Sequence, residues 1–321
     1  MEKIIFERIN DIVSNYKTII LMGHTYPDLD SLGSCLGMSV ILDSMNINNY
    51  IFLDTNNSNY DSTIIQSLPL VSNFNYINKS NYKEVIDDNT LLIILDTHLK
   101  DRLEYSNILD DIKNVVVIDH HMKRHEYIRD TELFYIDSSL SSVAEFISFY
   151  SQYLSIELPP IVSTILLTAI EIDTNGFNIK ITEKSFEAAA HLVSSGADSI
   201  LKLNLLKEKK REFLRKADFI KSSYIYKKKY AICLLPISKC AQSELAEVSD
   251  SLLGFEGVEA SFTIGQLDKN TVGISARSLG NVDVCHYMEL FGGGGHLNIA
   301  ACQVSNTTMK ALEKELKTYL N

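Results

Sequence analysis

Tryptophan is absent from this chain, proline and cysteine each occur five times, and positive charge is in deficit. The cysteines (Cys35, Cys233, Cys240, Cys285 and Cys302) are odd in number, widely scattered and form no CxxC pair. Neither a disulfide framework nor a zinc-thiolate site is expected, and a reducing cytoplasm fits. No apolar run approaches the roughly 18 residues of a membrane helix. The start, "MEKIIFERIN", is too charged for a secretory signal, so the expectation is a soluble, cytoplasmic chain. With 30 Lys and Arg against 41 Asp and Glu, the formal charge is −11, which argues against an extended basic face gripping long duplex nucleic acid. The same deficit, with no tryptophan to stack on bases, weakens a single-strand track. A small anionic ligand stays open, provided positive charge is supplied locally, by metal ions for example.

What is present is a hydrophobic content of 45% over 321 residues, enough for one large or two ordinary cores. Four near-continuous apolar runs, "TIILM" (18–22), "YIFLD" (50–54), "LLIILD" (91–96) and "VVVID" (115–119), read as strands of a parallel sheet covered on both faces. Helical patterns separate them, one after the first run and a weaker one near 102–113. Helices are also expected at 141–154, 160–171 and 183–196, the last closed by Gly196. The fold class is therefore α/β, a doubly wound parallel sheet joined by a helical linker to a smaller α+β domain. The expected divisions are 1–197, a connecting helix within 198–224, and 225–321. The basic cluster Lys207, Lys209, Lys210 and Arg211 in that helix reads as a solvated face. The last part holds "YAICLL", a strand pair "VEASFTIGQ" and "TVGISARS" joined by "LDKN", and helices near 241–253 and from about Thr307.

Ligand sites in open parallel sheets lie beyond the carboxyl ends of the strands. Charged residues concentrate there: His24, Asp28 and Asp30 after the first run, Asp96 ending the third, and Asp119, His120 and His121 at the end of the fourth. Asp173 in "EIDTNGF" is a further candidate. Hard carboxylates with imidazoles suit manganese or a comparable divalent ion. Two such ions about 3.5–4 Å apart form a clamp for phosphoryl chemistry. Plainer readings stand beside this one. Asp28 and Asp30 could simply cap the next helix, and Asp173 could form an Asx turn into Gly176. In "ELFGGGGHLNIAA", Gly292, Gly293, Gly294 and Gly295 could converge their N–H groups on an anion as a nest, with His296 beside it. Arg277 in "GISARSLG" could add a bidentate phosphate contact or form a surface ion pair.

Taken in order, His-x-x-x-Asp-x-Asp, a second Asp, Asp-His-His, a later Asp-Thr and a terminal Gly-Gly-Gly-Gly-His resemble the DHH phosphoesterase superfamily with its DHH-associated C-terminal domain. The likeness runs from about Ile19 to Val304. Within it, "LDTH", "VIDHHMKR", "SSVAEFI", "SARSLGNVDV" and "MELFGGGGH" resemble the catalytic module of bacterial cyclic-di-AMP phosphodiesterases. The resemblance implies two manganese ions, one held by His24, Asp28 and Asp96 and the other by Asp30, Asp96, His120 and Asp173, with Asp96 bridging. It implies that His121 contacts phosphate and that Asp119 orients a histidine. It also implies that Arg277, Ser278, Gly292 to Gly295 and His296 hold a small nucleotide. The implied reaction is in-line, two-metal hydrolysis of cyclic di-AMP to linear pApA. The alternative is a stand-alone oligoribonuclease or pAp phosphatase cutting pApA and short RNA. A manganese pyrophosphatase, a processive exonuclease and a nucleotide sensor that does not cut are more distant rivals. A homodimer is compatible with this reading. Membrane-anchored relatives carry further domains upstream, so membrane tethering is expected only if the chain is a fragment.

Overall fold

Alternation along the apolar runs builds the first sheet from its centre outward. The computed structural model describes residues 2–236 and 239–321. Strands β1 (Thr18–Met22), β2 (Asn48–Phe52), β3 (Tyr76–Ile77), β4 (Thr90–Leu95), β5 (Asn114–Asp119) and β6 (Leu133–Ile136) form an all-parallel sheet in the order β3-β2-β1-β4-β5-β6. Ile19, Leu21, Leu91, Ile93 and Leu95 enter one core, and Ile20, Met22, Leu92 and Ile94 enter another. Strands buried on both faces follow from this, and β1 and β4 are buried at every position. The helices of this part are α1 (Glu2–Val13), α2 (Leu29–Ser44), α3 (Ser62–Ser67), α4 (Ile108–Asp111), α5 (Val143–Tyr153), α6 (Pro160–Asp173), α7 (Glu183–Ser194) and α8 (Ser199–Leu205). Residues of α2, α5 and α6 dominate the larger core.

Several elements differ from the sequence expectation. The second strand ends at Phe52 rather than at Asp54. The helix expected near 102–113 is reduced to the single turn of α4, because Leu103 is drawn into an extended bridge with His24. The connecting helix is broken. Its first part, α8, belongs to the first unit: the Asp198 N–H donates to Thr164 Oγ1 (2.8 Å), Lys202 pairs with Glu171, and Leu205 is buried in the large core. Its second part, α9 (Lys210–Ser222), belongs to the second unit, where Phe219 is buried and Arg215 pairs with Glu244 at 2.8 Å. An unbroken helix would stack Lys207 on Lys210 and Arg211, like charges at three and four residues' separation, which is unfavourable. All four residues of that basic cluster are exposed. The chain thus divides into two compact units at Lys207 and Glu208, with no separate linker domain between them.

The second unit is a mixed sheet, as expected. Strands β7 (Tyr224–Tyr226), β8 (Tyr230–Leu234), β9 (Ala260–Gln266), β10 (Thr271–Ser278), β11 (Gly294–His296) and β12 (Ile299–Ser305) lie in the order β11-β12-β10-β9-β8-β7. Among the described residues, only the β8–β9 pair of this sheet is parallel. Helices α10 (Gln242–Leu252), α11 (Val284–Glu289) and α12 (Met309–Tyr319) complete it. Among the described residues, no helix is long and apolar enough to cross a membrane.

Candidate metal centre

Close packing at the end of β1 sets the first group of side chains. A Cβ on Gly23 would fall 1.8 Å from Ser31 Oγ, so only glycine lets the start of α2 approach this closely. The His24 N–H donates to that hydroxyl at 3.3 Å. Pro27 disfavours the right-handed helical region at Tyr26, and Tyr26 is left-handed (φ 51°). Asp28 does cap α2, its Oδ1 accepting from the N–H groups of Asp30 and Ser31 at 3.0 Å each. Asp30 does not cap its own helix. Its buried carboxylate instead accepts the N–H groups of Val143 (2.8 Å) and Ala144 (2.6 Å) at the start of α5, where a helix N-terminus favours negative charge.

Asp96, directly after β4, has φ 64° while its N–H donates to Ile118 O at 3.0 Å. Aspartate enters the left-handed region more readily than most residues, but it is sparsely populated all the same. Asp173 ends α6, and the turn beyond it is held by Thr174, whose Oγ1 accepts the Phe177 N–H at 3.0 Å. The Asx-turn alternative for Asp173 therefore fails, since its neighbour does that work.

These side chains meet. His24 Nε2 lies 3.2 Å from Asp96 Oδ2 and 3.7 Å from Asp28 Oδ1. His120 Nε2 lies 3.4 Å from Asp96 Oδ1, 3.7 Å from Asp173 Oδ2 and 3.8 Å from Asp30 Oδ2. Three groups have donor atoms all within 4.8 Å of one another: His24, Asp28 and Asp96; Asp30, His120 and Asp173; and Asp96, His120 and His121. Asp96 is shared by two of them.

The electrostatics are those of anions crowded without a cation. Burial raises the Asp173 carboxyl to about 8, with Asp28 and Asp96 adding repulsion. Burial and the charges of Asp96 and Asp173 hold Asp30 well above the usual carboxylate range. Burial would lower both imidazoles, but Asp28 and Asp96 raise His24 to about 11, and Asp96, Asp30 and Asp173 raise His120 to about 10. Burial works against ionisation of Asp96 too, but the adjacent His120 and His24 imidazoles outweigh it and keep it below its ordinary value.

This donor set fits divalent cations. Asp96 Oδ1 is buried and makes no hydrogen bond, a lone pair aimed into the cluster. His24 Nδ1 donates to the Thr25 carbonyl (2.9 Å), which leaves Nε2 as the coordinating nitrogen. The set holds carboxylate and imidazole and no thiolate, which suits magnesium- or manganese-like ions over structural zinc.

Asp119 stands one step back. Its Oδ1 accepts from the His121 N–H (3.0 Å) and faces the His121 Nδ1 (2.8 Å), and its Oδ2 accepts from His98 Nδ1. Sequence reasoning gave no role to His98, although it closes the "LDTH" run. It is buried, and its Nε2 accepts the Arg124 N–H at 3.2 Å, so the residue ties the loop after β5 back to β4. Asn at position 119 keeps the shape but weakens these bonds. The expected result for Asp119→Asn is activity about 10- to 100-fold lower in manganese, with divalent-ion affinity and the melting curve largely retained.

In the second unit, the Arg277 guanidinium is engaged by Asp250 (2.7 Å), Ser275 Oγ (3.0 Å) and the Ala276 carbonyl (3.1 Å), so the surface ion pair is present. Ser278 is buried, with its Oγ–H directed at Leu297 O and Asn298 Oδ1 (3.4 Å each). The glycine run does not form the expected nest. The Gly292 and Gly293 N–H groups cap α11 by donating to Glu289 O and Met288 O at 2.9 Å, and Gly294 and Gly295 pair with β12. A Cβ at Gly293 would lie 2.2 Å from Ala301 O, so the run serves close sheet packing. His296, at its end, is exposed.

Comparison with known proteins places these features. The chain is 34% identical to the cyclic-di-AMP phosphodiesterase GdpP of Bacillus subtilis over 98% of its length and 49% of that protein. It is 33% identical to the cyclic-di-AMP phosphodiesterase PdeA of Listeria monocytogenes, with the same coverage. The chain thus spans about half the length of these curated relatives. Its fold is also that of an exopolyphosphatase-related protein from Bacteroides fragilis (TM-score 0.78, 19% identity, 99% and 96% of the two chains covered). Residues 18–170 match the N-terminal domain of the DHH family and residues 227–321 match the DHHA1 domain, and with both in order the chain belongs to the DHH family.

Proposed function

We propose that the chain is a manganese-dependent phosphodiesterase that opens cyclic di-AMP to linear pApA. The observation that carries this reading is the sharing of Asp96 between two donor groups, one reaching toward β1 and the other toward β5. His24, Asp28 and Asp96 would hold one ion, and Asp30, Asp96, His120 and Asp173 the other. When bound, such a pair supplies Lewis acidity toward a phosphoryl oxygen and lowers the pKa of water to near neutrality.

The protein's own groups supply order. Asp30 is locked to the N-terminus of α5, and Asp96 to the sheet through its backbone, so the carboxylates need little reorganisation when phosphate arrives. Asp119 fixes the His121 ring through Nδ1, leaving Nε2 as the nitrogen free to face the phosphate. The His121 side chain is about half exposed, as a substrate contact must be. Arg277 and His296 are assigned to nucleotide binding by the second unit, with Ser278 and Gly292 to Gly295 shaping the loop and strand around them. Of these, His296 is exposed, whereas Ser278 acts through the loop it braces.

Product chromatography tests the reading. Purified protein with manganese is incubated in parallel with cyclic di-AMP, cyclic di-GMP, pApA and pAp. The expected result is fastest loss of cyclic di-AMP with pApA accumulating first. Faster loss of pApA would replace this reading with the short-oligonucleotide one, and tight binding without turnover would replace both with a sensor.

A further inference from the structure

The turn that carries His24 and Asp28 has a second face. Thr25 and Tyr26 wall a cavity of about 230 Å³ within the first unit that the metal centre does not use. Asp54, just past β2, and Glu104, just past Leu103, line it with the carboxamides of Asn57 and Asn78 and the ring of Tyr105. Sites for drug-sized ligands run to roughly 300–1,000 Å³. This smaller volume suits one ring system rather than a whole dinucleotide.

Its chemistry is specific. Tyr105 is held rigidly, stacked on Phe52 (centroids 5.7 Å apart, planes 7° apart) and edge-on to Tyr82 at 5.6 Å. It therefore offers an aromatic surface at little entropic cost. Tyr26, 67% exposed and held at positive φ, is a large apolar ring left without burial beside it. The polar lining sets the carboxylates of Asp54 and Glu104 among three asparagines and Lys79. Glu104 is held in place by the Tyr60 O–H (2.6 Å) and Asp54 by the Asn56 N–H (3.2 Å). A ligand that meets this lining brings N–H donors to Asp54 and Glu104, ring acceptors to Lys79 and the carboxamides, and a flat face to Tyr105. Flipped bases are read in this manner, by stacking on aromatic rings and by hydrogen bonds along one edge.

We propose that this cavity is a nucleobase subsite, taking a purine with an exocyclic amine whose N–H groups donate to Asp54 and Glu104 while its ring lies against Tyr105. The subsite shares the His24–Asp28 turn with the metal centre, so a base seated there would place its own phosphate toward the cluster. The assignment deepens the phosphodiesterase reading and rests on it only for that phosphate anchor.

The test separates the two. Adenosine, which has no phosphate, is titrated into metal-free protein and followed by saturation-transfer NMR for the wild type, Glu104→Gln and Asn57→Ala. Wild-type binding that weakens about tenfold in each variant is expected. In manganese, the ratio of kcat/KM for pApA to that for bis(p-nitrophenyl) phosphate, a diester without a base, should also fall about tenfold, with the change in KM. Absence of an adenosine signal, or parallel losses on both diesters, overturns the subsite. Calcium binding that Glu104→Gln removes would give the cavity to a cation and overturn it as well. If the wild type cuts neither diester yet binds adenosine, the phosphodiesterase reading fails and the subsite stands.

Discussion

Asp96→Asn is expected to lower manganese-dependent diester hydrolysis by about a thousandfold or more while leaving the fold in place. At 1.36 kcal/mol per factor of ten, that is about 4 kcal/mol of lost transition-state stabilisation. Asn is the most conservative probe because it shares aspartate's tolerance of the left-handed region that φ 64° requires. What it removes is charge at the one carboxylate common to two donor groups. It also turns one buried oxygen into an N–H donor facing imidazoles that the native carboxylate holds at 3.2 and 3.4 Å. Neither ion would keep its full ligand set. A melting curve by circular dichroism checks the fold, and manganese titration with turnover checks the site. Retained turnover would show that Asp96 does not bridge.

Much of this centre was legible in the sequence because β4 and β5 each run straight from apolar residues into an aspartate of the centre or its support. "LLIILD" and "VVVID" announce both the strand and the carboxylate at its end, and the fold brings those ends to one edge. The elements that went unread lack this signature. β3 is two residues long, and β6 is only half-buried, in the pattern of an edge strand. His98 was missed for a different reason. Its partner Asp119 lies 21 residues away, and only the pairing of β4 with β5 brings them together. The glycine run misled because glycine permits two things that look alike in sequence: convergent N–H groups and close backbone approach. In this chain the β11–β12 pairing takes the second. The α8–α9 break was legible only as charge, since the apolar spacing runs straight through it.

Proton release on metal binding should be the second large effect, and its sign follows from the crowding of the cluster. Without cations, His24 (about 11), His120 (about 10) and Asp173 (about 8) all hold protons at pH 7, and Asp30 is raised in the same direction. A cation needs the lone pairs those protons occupy, so binding must expel them. The two imidazoles alone would make apparent affinity rise about a hundredfold for each pH unit, tenfold per proton, throughout the range below about 10. Below about 8 the Asp173 proton joins them, so the slope is expected to steepen as pH falls through that value. Calorimetry in two buffers of different ionisation enthalpy measures the protons directly, and at pH 7 at least the His24 and His120 protons should appear. Affinity that is flat between pH 6 and 8 would mean that the imidazoles are already neutral, and the tight His24–Asp96 and His120–Asp96 pairing would then not describe the metal-free protein. The same linkage gives the cluster a use beyond holding ions. Without metal, the two imidazolium groups and the proton on Asp173 relieve the repulsion among the four crowded carboxyl groups, so the side chains can stay together until the cations arrive.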